Sequence, residues 1–141
     1  MRHFLLFVYG TMLPGEPSHG LLDGAYCLGP AMTPPVFDLV DLGPYPALVA
    51  AGSTVVVGEL YEVPVHMLAA IDVYEEHPVL FKRKTIGLSD DRQAQAYLLE
   101  ADQVLGRRRI RSGDWRARFR RMPAPSARDS AFIRWSKNRF R

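Results

Sequence analysis

Cysteine is almost missing. Cys27 is the single one in 141 residues, so no disulfide can form within the chain, and a cytoplasmic location is expected. The four histidines, His3, His19, His66 and His77, are scattered. No two stand at i, i+4 and none has a cysteine at zinc spacing, so no metal site is expected. No apolar run reaches the roughly 18 residues of a membrane-spanning helix, and the short apolar run behind Met1 is followed by Tyr-Gly-Thr rather than by a small-residue cleavage site. No membrane association is expected. Gly-x-Gly-x-x-Gly, the Walker lysine, Gly-x-Ser-x-Gly and a Cys–His nucleophile pattern are all missing, which removes the usual sequence supports for dinucleotide, P-loop and Ser/Cys-hydrolase chemistry. No cofactor is implied.

What is present is an ordinary globular composition, 48% hydrophobic and 23% charged, in a length that suits one core. The charge is unevenly placed. Residues 106–141 carry 13 Lys+Arg against two acids, Asp114 and Asp129, while residues 1–105 carry 5 Lys+Arg against 13 acids. Pro123-Ala124-Pro125-Ser126 marks a break, so the chain divides into a domain over 1–122 and a basic C-terminal extension over 123–141. The extension has two readings. It packs on its own acidic body or is simply solvated, or it contacts nucleic acid or an acidic partner.

The organising stretch is Phe4 to Leu13. Phe4–Val8 is a short apolar run that reads as a buried strand. It stops at Tyr9-Gly10-Thr11, where a glycine permits φ > 0 or a close approach of the backbone to a ligand. Pro14 and Gly15 then hold a loop whose N–H groups have no ladder partner and can bind an anion or a carbonyl oxygen. Further strands are expected over 25–32, 36–42, 54–63, 81–88 and 94–99, with short apolar Ala47–Ala50 before a turn at Gly52-Ser53. Gly58 inside its strand suggests a bulge or a close backbone contact. Arg107–Arg111 reads as an edge strand or coil, Asp114 as the cap of a helix reaching about Arg121, and Phe132–Phe140 as a terminal helix. Many short strands with one convincing helix indicate class α+β, with a mainly antiparallel sheet or small barrel.

That helix covers residues 65–76, opened by Pro64 and ended by Pro78. Met67, Leu68 and Ile71 form an apolar stripe, and Glu75 falls close to it, whereas Glu76 lies about 100° further round. A carboxyl group beside an apolar face has its pKa raised by desolvation, the condition for a general acid/base near neutral pH. The competing reading is a solvated helix end paired with Lys82 or Arg83. Cys27, in a probable strand with no basic neighbour, reads as inert packing.

Several segments resemble one family. Phe-Val-Tyr-Gly-Thr-Met-Leu at 7–13, Gly43-Pro44-Tyr45-Pro46-Ala47-Leu48, Val57-Gly58-Glu59-Leu60-Tyr61, Ile71-Asp72-x-x-Glu75-x-x-Pro78-x-x-Phe81-x-Arg83, Ala96-Tyr97 and Ser112-Gly113-Asp114-Trp115 occur in the order found in the γ-glutamylcyclotransferase-like superfamily, which includes the γ-glutamylamine cyclotransferases and avirulence-induced-gene-like proteins. Met12 stands where Leu is usual and Phe81 where Tyr is usual. The resemblance spans residues 4–116. It implies a small mixed, mainly antiparallel β-barrel with flanking helices. It also implies an enzyme in which the α-amine of an L-γ-glutamyl group attacks its own γ-carbonyl, releasing 5-oxoproline and a free amine or amino acid. Glu75 matches the family's catalytic glutamate. Tyr9, Gly10, Thr11, Met12 and Leu13 are the expected substrate loop, with Tyr45 at the pocket. Arg83 is expected to pair with an acid or position its loop, and Tyr97 to be a barrel aromatic or a pocket residue. The partner implied is a small γ-glutamyl compound. The rival is a non-catalytic binding module of the same fold whose basic tail contacts nucleic acid or an acidic partner.

Overall fold

The structure, a computed structural model, describes residues 2–119. The extension over 123–141 and the helix expected at Phe132–Phe140 lie outside the described residues. Eight strands form one mixed sheet: β1 (His3–Val8), β2 (Tyr26–Met32), β3 (Phe37–Asp41), β4 (Pro46–Thr54), β5 (Val57–Pro64), β6 (Lys82–Gly87), β7 (Gln93–Leu99) and β8 (Arg108–Arg109). The α-helix α1 (Val65–Tyr74) follows β5 directly, and short 3-10 turns lie at His19–Leu22, Ala101–Val104 and Trp115–Ala117.

The strand order is β2-β5-β1-β7-β4-β3-β8, with β6 added on β7. Five ladders are antiparallel, and the two that join β7 to β1 and to β4 are parallel. The sheet expected to close as a barrel is an open path: among the described residues β2 and β8 end it and no ladder joins them. Two features mark these ends. β8 is only two residues long, and β2 carries a register shift between Cys27 and Gly29. The flanking helices reduce to one α-helix in the same region, because the segment capped by the Asp114 carboxylate runs only as the 3-10 turn Trp115–Ala117.

The middle of the sheet forks. β6 covers the length of β7 on one edge, from Lys82 opposite Leu98 to Gly87 opposite Gln93. On the other edge β1 meets β7 at Leu6–Gln95, while β4 meets it further along, at Leu48–Leu98 and Val49–Leu99. β1 therefore leaves β7 where β4 joins it, and the chain beyond Val8 emerges at that parting.

Both faces of β1 are buried, which is why its sequence is an unbroken apolar run. Leu6 and Val8 enter one cluster with Leu13, Leu68 and Ile71, against α1. Phe7 and Tyr9 enter another with Leu39, Leu48, Leu60 and Trp115. Two strand boundaries differ from the sequence reading. The segment 46–54 is one long strand, with an irregularity opposite Phe37 and Asp38 where the Asp38 carboxylate accepts from Ser53 N at 3.3 Å and Thr54 Oγ1 at 3.1 Å. β5 starts at Val57, after Val57 N has bonded Gly113 O at 2.9 Å. Cys27 is exposed on β2 rather than packed.

Gly58 is the close approach that its position inside a strand suggests: a Cβ there would overlap the Val8 carbonyl. The overlap is with backbone at the end of β1, so no side-chain rotation relieves it. Gly58→Ala is expected to lower unfolding free energy by on the order of 1–3 kcal/mol, read from urea denaturation monitored by tryptophan fluorescence. An unchanged midpoint would show that β1 and β5 yield freely at this contact.

Candidate functional site

Tyr9 sits at the fork and its hydroxyl spans it. The side chain is 7% exposed. Its hydroxyl donates to the Tyr97 carbonyl on β7 at 2.7 Å and accepts from Leu48 N on β4 at 3.1 Å. Burial, and then the negative charge of Glu75, raise the phenol above its ordinary pKa, so it stays a neutral donor.

Behind Tyr9 the chain turns, with Leu13 N donating to Gly10 O at 3.0 Å. Gly10 does not have positive φ. Its lack of a side chain serves a contact instead, since a Cβ would come within 2.5 Å of Pro46 Cγ. The carbonyls of this turn are tied back. Ser18 N donates to Thr11 O at 2.8 Å, and His19 Nδ1 donates to Met12 O at 2.8 Å. The amides of Gly10, Thr11 and Met12 donate to no acceptor among the described residues. A turn with its carbonyls engaged and successive amides free is suited to an anion or a developing oxyanion.

This turn lines a cleft of about 390 Å³ with Tyr45, Glu75, Glu76, Phe81 and Tyr97 on its other walls. Of the residues expected at the site, Tyr9, Gly10, Thr11, Met12, Tyr45 and Glu75 all line it. Leu13 does not: it is fully buried in the core, and its amide is spent on closing the turn. Tyr45 is half-exposed at the rim, its ring centroid 6.0 Å from that of Phe81.

Glu75 caps the C-terminus of α1, its N–H bonded to Ile71 O at 2.9 Å. Neither cation weighed as its partner reaches it. Arg83 is committed to Asp72, with Nε to Oδ1 at 2.8 Å and a second nitrogen to Oδ2 at 3.1 Å, and Lys82 faces Glu100 at 3.7 Å. The Glu75 carboxylate has no hydrogen-bond or ionic partner among the described residues, and burial pushes its pKa up to about 7. Asp72, one turn earlier, shows the opposite balance. Burial pushes it up, but hydrogen bonds from Arg83 and from the Tyr97 hydroxyl, the latter at 2.6 Å, outweigh that and hold it below the usual carboxylate range. Arg83 thus both pairs with an acid and fixes the loop after α1, since its own N–H donates to His77 Nδ1 at 2.9 Å. No group of residues among those described could hold a metal ion, and no helix among them is long and apolar enough to cross a membrane.

Several lining residues were not expected at the cleft, among them Ser18, Tyr74 and Glu76. Ser18 and Tyr74 touch across the cleft, Oγ to Oη at 2.6 Å, from segments 56 positions apart. Glu76 lines the cleft as well, contrary to a helical phasing that turns it away, because α1 ends at Tyr74 and Glu76 takes φ +55°. Helical periodicity has no force past the last turn, and the only sequence hint was Pro78 close behind.

Comparison with known proteins follows the same outline. The model of the family described as Gamma-glutamyl cyclotransferase, AIG2-like matches residues 6–117. A Vibrio cholerae protein named "Putative gamma-glutamylcyclotransferase" is 42% identical over 115 residues, covering 82% of this chain and 96% of that protein. A Bos taurus protein named gamma-glutamylaminecyclotransferase is 35% identical over 95 residues, covering 55% of this chain and 52% of its own length. The crystal structure of an aig2-like protein from Mus musculus superposes with TM-score 0.71 at 25% identity, covering 89% of this chain and 99% of that one.

A carboxyl group held at a raised pKa destabilises the fold wherever the unfolded chain has already lost that proton. For Glu75 the cost is absent below about pH 4.5, grows between there and pH 7, and is fully present above. Glu75→Gln is therefore expected to be more stable than wild type at pH 8 by about 2 kcal/mol and little different at pH 4.5, as urea unfolding at the two pH values would show. An equal difference at both would mean that the gain has nothing to do with ionisation.

Proposed function

Because the chain belongs to the Gamma-glutamyl cyclotransferase, AIG2-like family, whose model covers residues 6–117, we propose that it cyclises an L-γ-glutamyl compound, releasing 5-oxoproline and a free amine or amino acid. The observation that carries this reading is Glu75, a carboxylate with no partner among the described residues, desolvated to a pKa of about 7, in a cleft that the Gly10–Met12 turn with its free amides also lines.

The reaction needs no nucleophile from the protein. The substrate's own α-amine attacks its γ-carbonyl carbon, closing a five-membered ring, and proximity within one molecule supplies much of the rate. Glu75 takes a proton from the α-ammonium. The new C–N bond forms as the carbonyl becomes a tetrahedral oxyanion, which the amides of Gly10, Thr11 and Met12 stabilise. Glu75 then returns the proton to the leaving nitrogen, the original amide C–N bond breaks and the carbonyl re-forms, and the second proton of the former ammonium passes by the same carboxylate from the ring nitrogen to the released amine, which departs as an ammonium. The proton borrowed in the first step is returned in the last, so the enzyme ends as it began. A pKa near 7 suits a group that must do both. Tyr9, kept neutral, holds the start of the turn, and Tyr45 with Phe81 forms the apolar side wall. The catalytic unit is the domain over 1–122, acting on a small substrate in the cytoplasm, and the extension over 123–141 is not needed for the chemistry. A binding module of the same fold is disfavoured, because nothing in mere binding repays an unpaired carboxylate held out of water.

Incubation with a panel of γ-glutamyl amines and γ-glutamyl amino acids is expected to yield 5-oxoproline from at least one class. On that substrate Glu75→Gln should lose about 10²- to 10⁴-fold in turnover while remaining folded, and wild-type kcat/KM should rise through about pH 7 as Glu75 loses its proton. A Gln variant retaining more than half the wild-type rate would remove Glu75 from the mechanism. A panel that yields no 5-oxoproline would overturn the reaction itself.

A further inference from the structure

Glu76 is the one lining residue whose backbone is strained. It sits at φ +55°, a region that non-glycine residues seldom enter and that usually needs surrounding structure to enforce it. Here the enforcement is visible. Glu76 N donates to Val73 O at 3.1 Å, and its carbonyl accepts from Val79 N at 2.8 Å and Leu80 N at 2.9 Å. The position favours glycine by its geometry, yet it carries an acid. The side chain is exposed, lines the cleft, and has no ionic or hydrogen-bond partner among the described residues.

The rest of the cleft sharpens the point. Among the described residues its only charged lining groups are Glu75 and Glu76, and no Lys, Arg or His is among them. The nearby cations are spent elsewhere: Arg83 on Asp72, and Lys82 and Lys84 on Glu100. Glu75 is desolvated and shares its proton with the reaction. Glu76 is an exposed acidic residue. The γ-glutamyl head brings a carboxylate of its own, and the free amides of the Gly10–Met12 turn are committed to the reacting carbonyl. The group attached beyond the scissile amide finds no cation among the described lining residues to receive a second carboxylate, and it meets Glu76.

We propose that Glu76 is a specificity-determining residue that selects, by charge, the amine released from the γ-glutamyl group: it favours a leaving amine that carries a positive charge over a neutral one, and a neutral one over one that carries a carboxylate. This rests on the cyclotransferase reading of the same cleft. The charge is at the rim and partly screened, so the preference across each step of charge is modest, about fivefold, the scale of an exposed ion pair. It weakens as salt is raised.

Three γ-glutamyl conjugates of similar length test it: those of cadaverine, pentylamine and 5-aminopentanoate. Wild-type kcat/KM, read from 5-oxoproline release, is expected to fall in that order, with the steps shrinking in high salt. Glu76→Gln should bring the three values together. Glu76→Gly should do the same in a residue that takes positive φ freely, so loss of selectivity in both variants is due to charge and not to a disturbed turn. An order unchanged in both variants, or a wild-type preference for the carboxylate conjugate, would overturn the proposal. Calorimetric binding of the same conjugates to the Glu75→Gln protein, with and without Glu76→Gln, separates the two readings. A charge order in binding that depends on Glu76, with no 5-oxoproline formed by wild type, would support the role of Glu76 and sink the reaction. 5-Oxoproline formed with no charge order would sink the role of Glu76 and leave the reaction standing.

Discussion

A single hydroxyl group makes the divided sheet possible. Where β1 leaves β7 and β4 takes its place, the two strands cannot both bond β7, and the Tyr97 carbonyl and the Leu48 amide would face each other's absence in a dry interior. An unpaired buried backbone group costs as much as a lost hydrogen bond or more. The Tyr9 hydroxyl serves both, donating to one at 2.7 Å and accepting from the other at 3.1 Å. The sheet can then part without penalty, and the parting is where the cleft opens. Tyr9 must be buried to do this, and burial in turn keeps its phenol protonated.

The two carboxylates on the last turn of α1 divide the electrostatics between them. Asp72 collects the Arg83 guanidinium and the Tyr97 hydroxyl, which pins the loop running from α1 to β6. Glu75, three residues on, is left with none of these. Its raised pKa is the counterpart of Asp72's lowered one: the same local supply of donors, given wholly to one group and denied to the other. A carboxyl group that titrates near neutral pH is obtained here by withholding partners, at some expense in stability.

Much of this was legible in the sequence. β1 announced itself because burial on both faces demands an unbroken apolar run, and Glu75 because it fell on the stripe of the one strong helical pattern and within a recognisable series of motifs. Gly58 was legible as a close contact because a glycine has few other reasons to interrupt a valine-rich strand. The fork was not. It depends on β1 and β4 competing for β7, strands separated in the chain by the whole of residues 9–45, and no local pattern records that competition. The open ends of the sheet were hidden for the same reason, since closure is decided by pairing between β2 and β8. Gly10 was read as a position for positive φ or for the close approach of a ligand; its φ is not positive, and what a Cβ there would meet is the ring of Pro46. Glu76 was misread because the helical period was carried two residues past the helix.

The Trp115 indole donates through Nε1 to Glu16 at 2.8 Å, a contact between residues 99 positions apart, while Arg118 lies 3.6 Å from the centre of the Trp115 ring and 4.0 Å from the same carboxylate. Glu16 belongs to the loop that carries the Gly10 turn, and its amide closes on Leu13 O at 3.0 Å. The loop at the mouth of the cleft is thus held from behind by almost the last residues of the described domain. On a ribosome the amino-terminal strand is available early, but the clasp for its loop is synthesised about a hundred residues later. This wall of the cleft therefore waits on a segment translated well after it, and a chain released before Trp115 would carry every described residue of the cleft with its first wall unfastened.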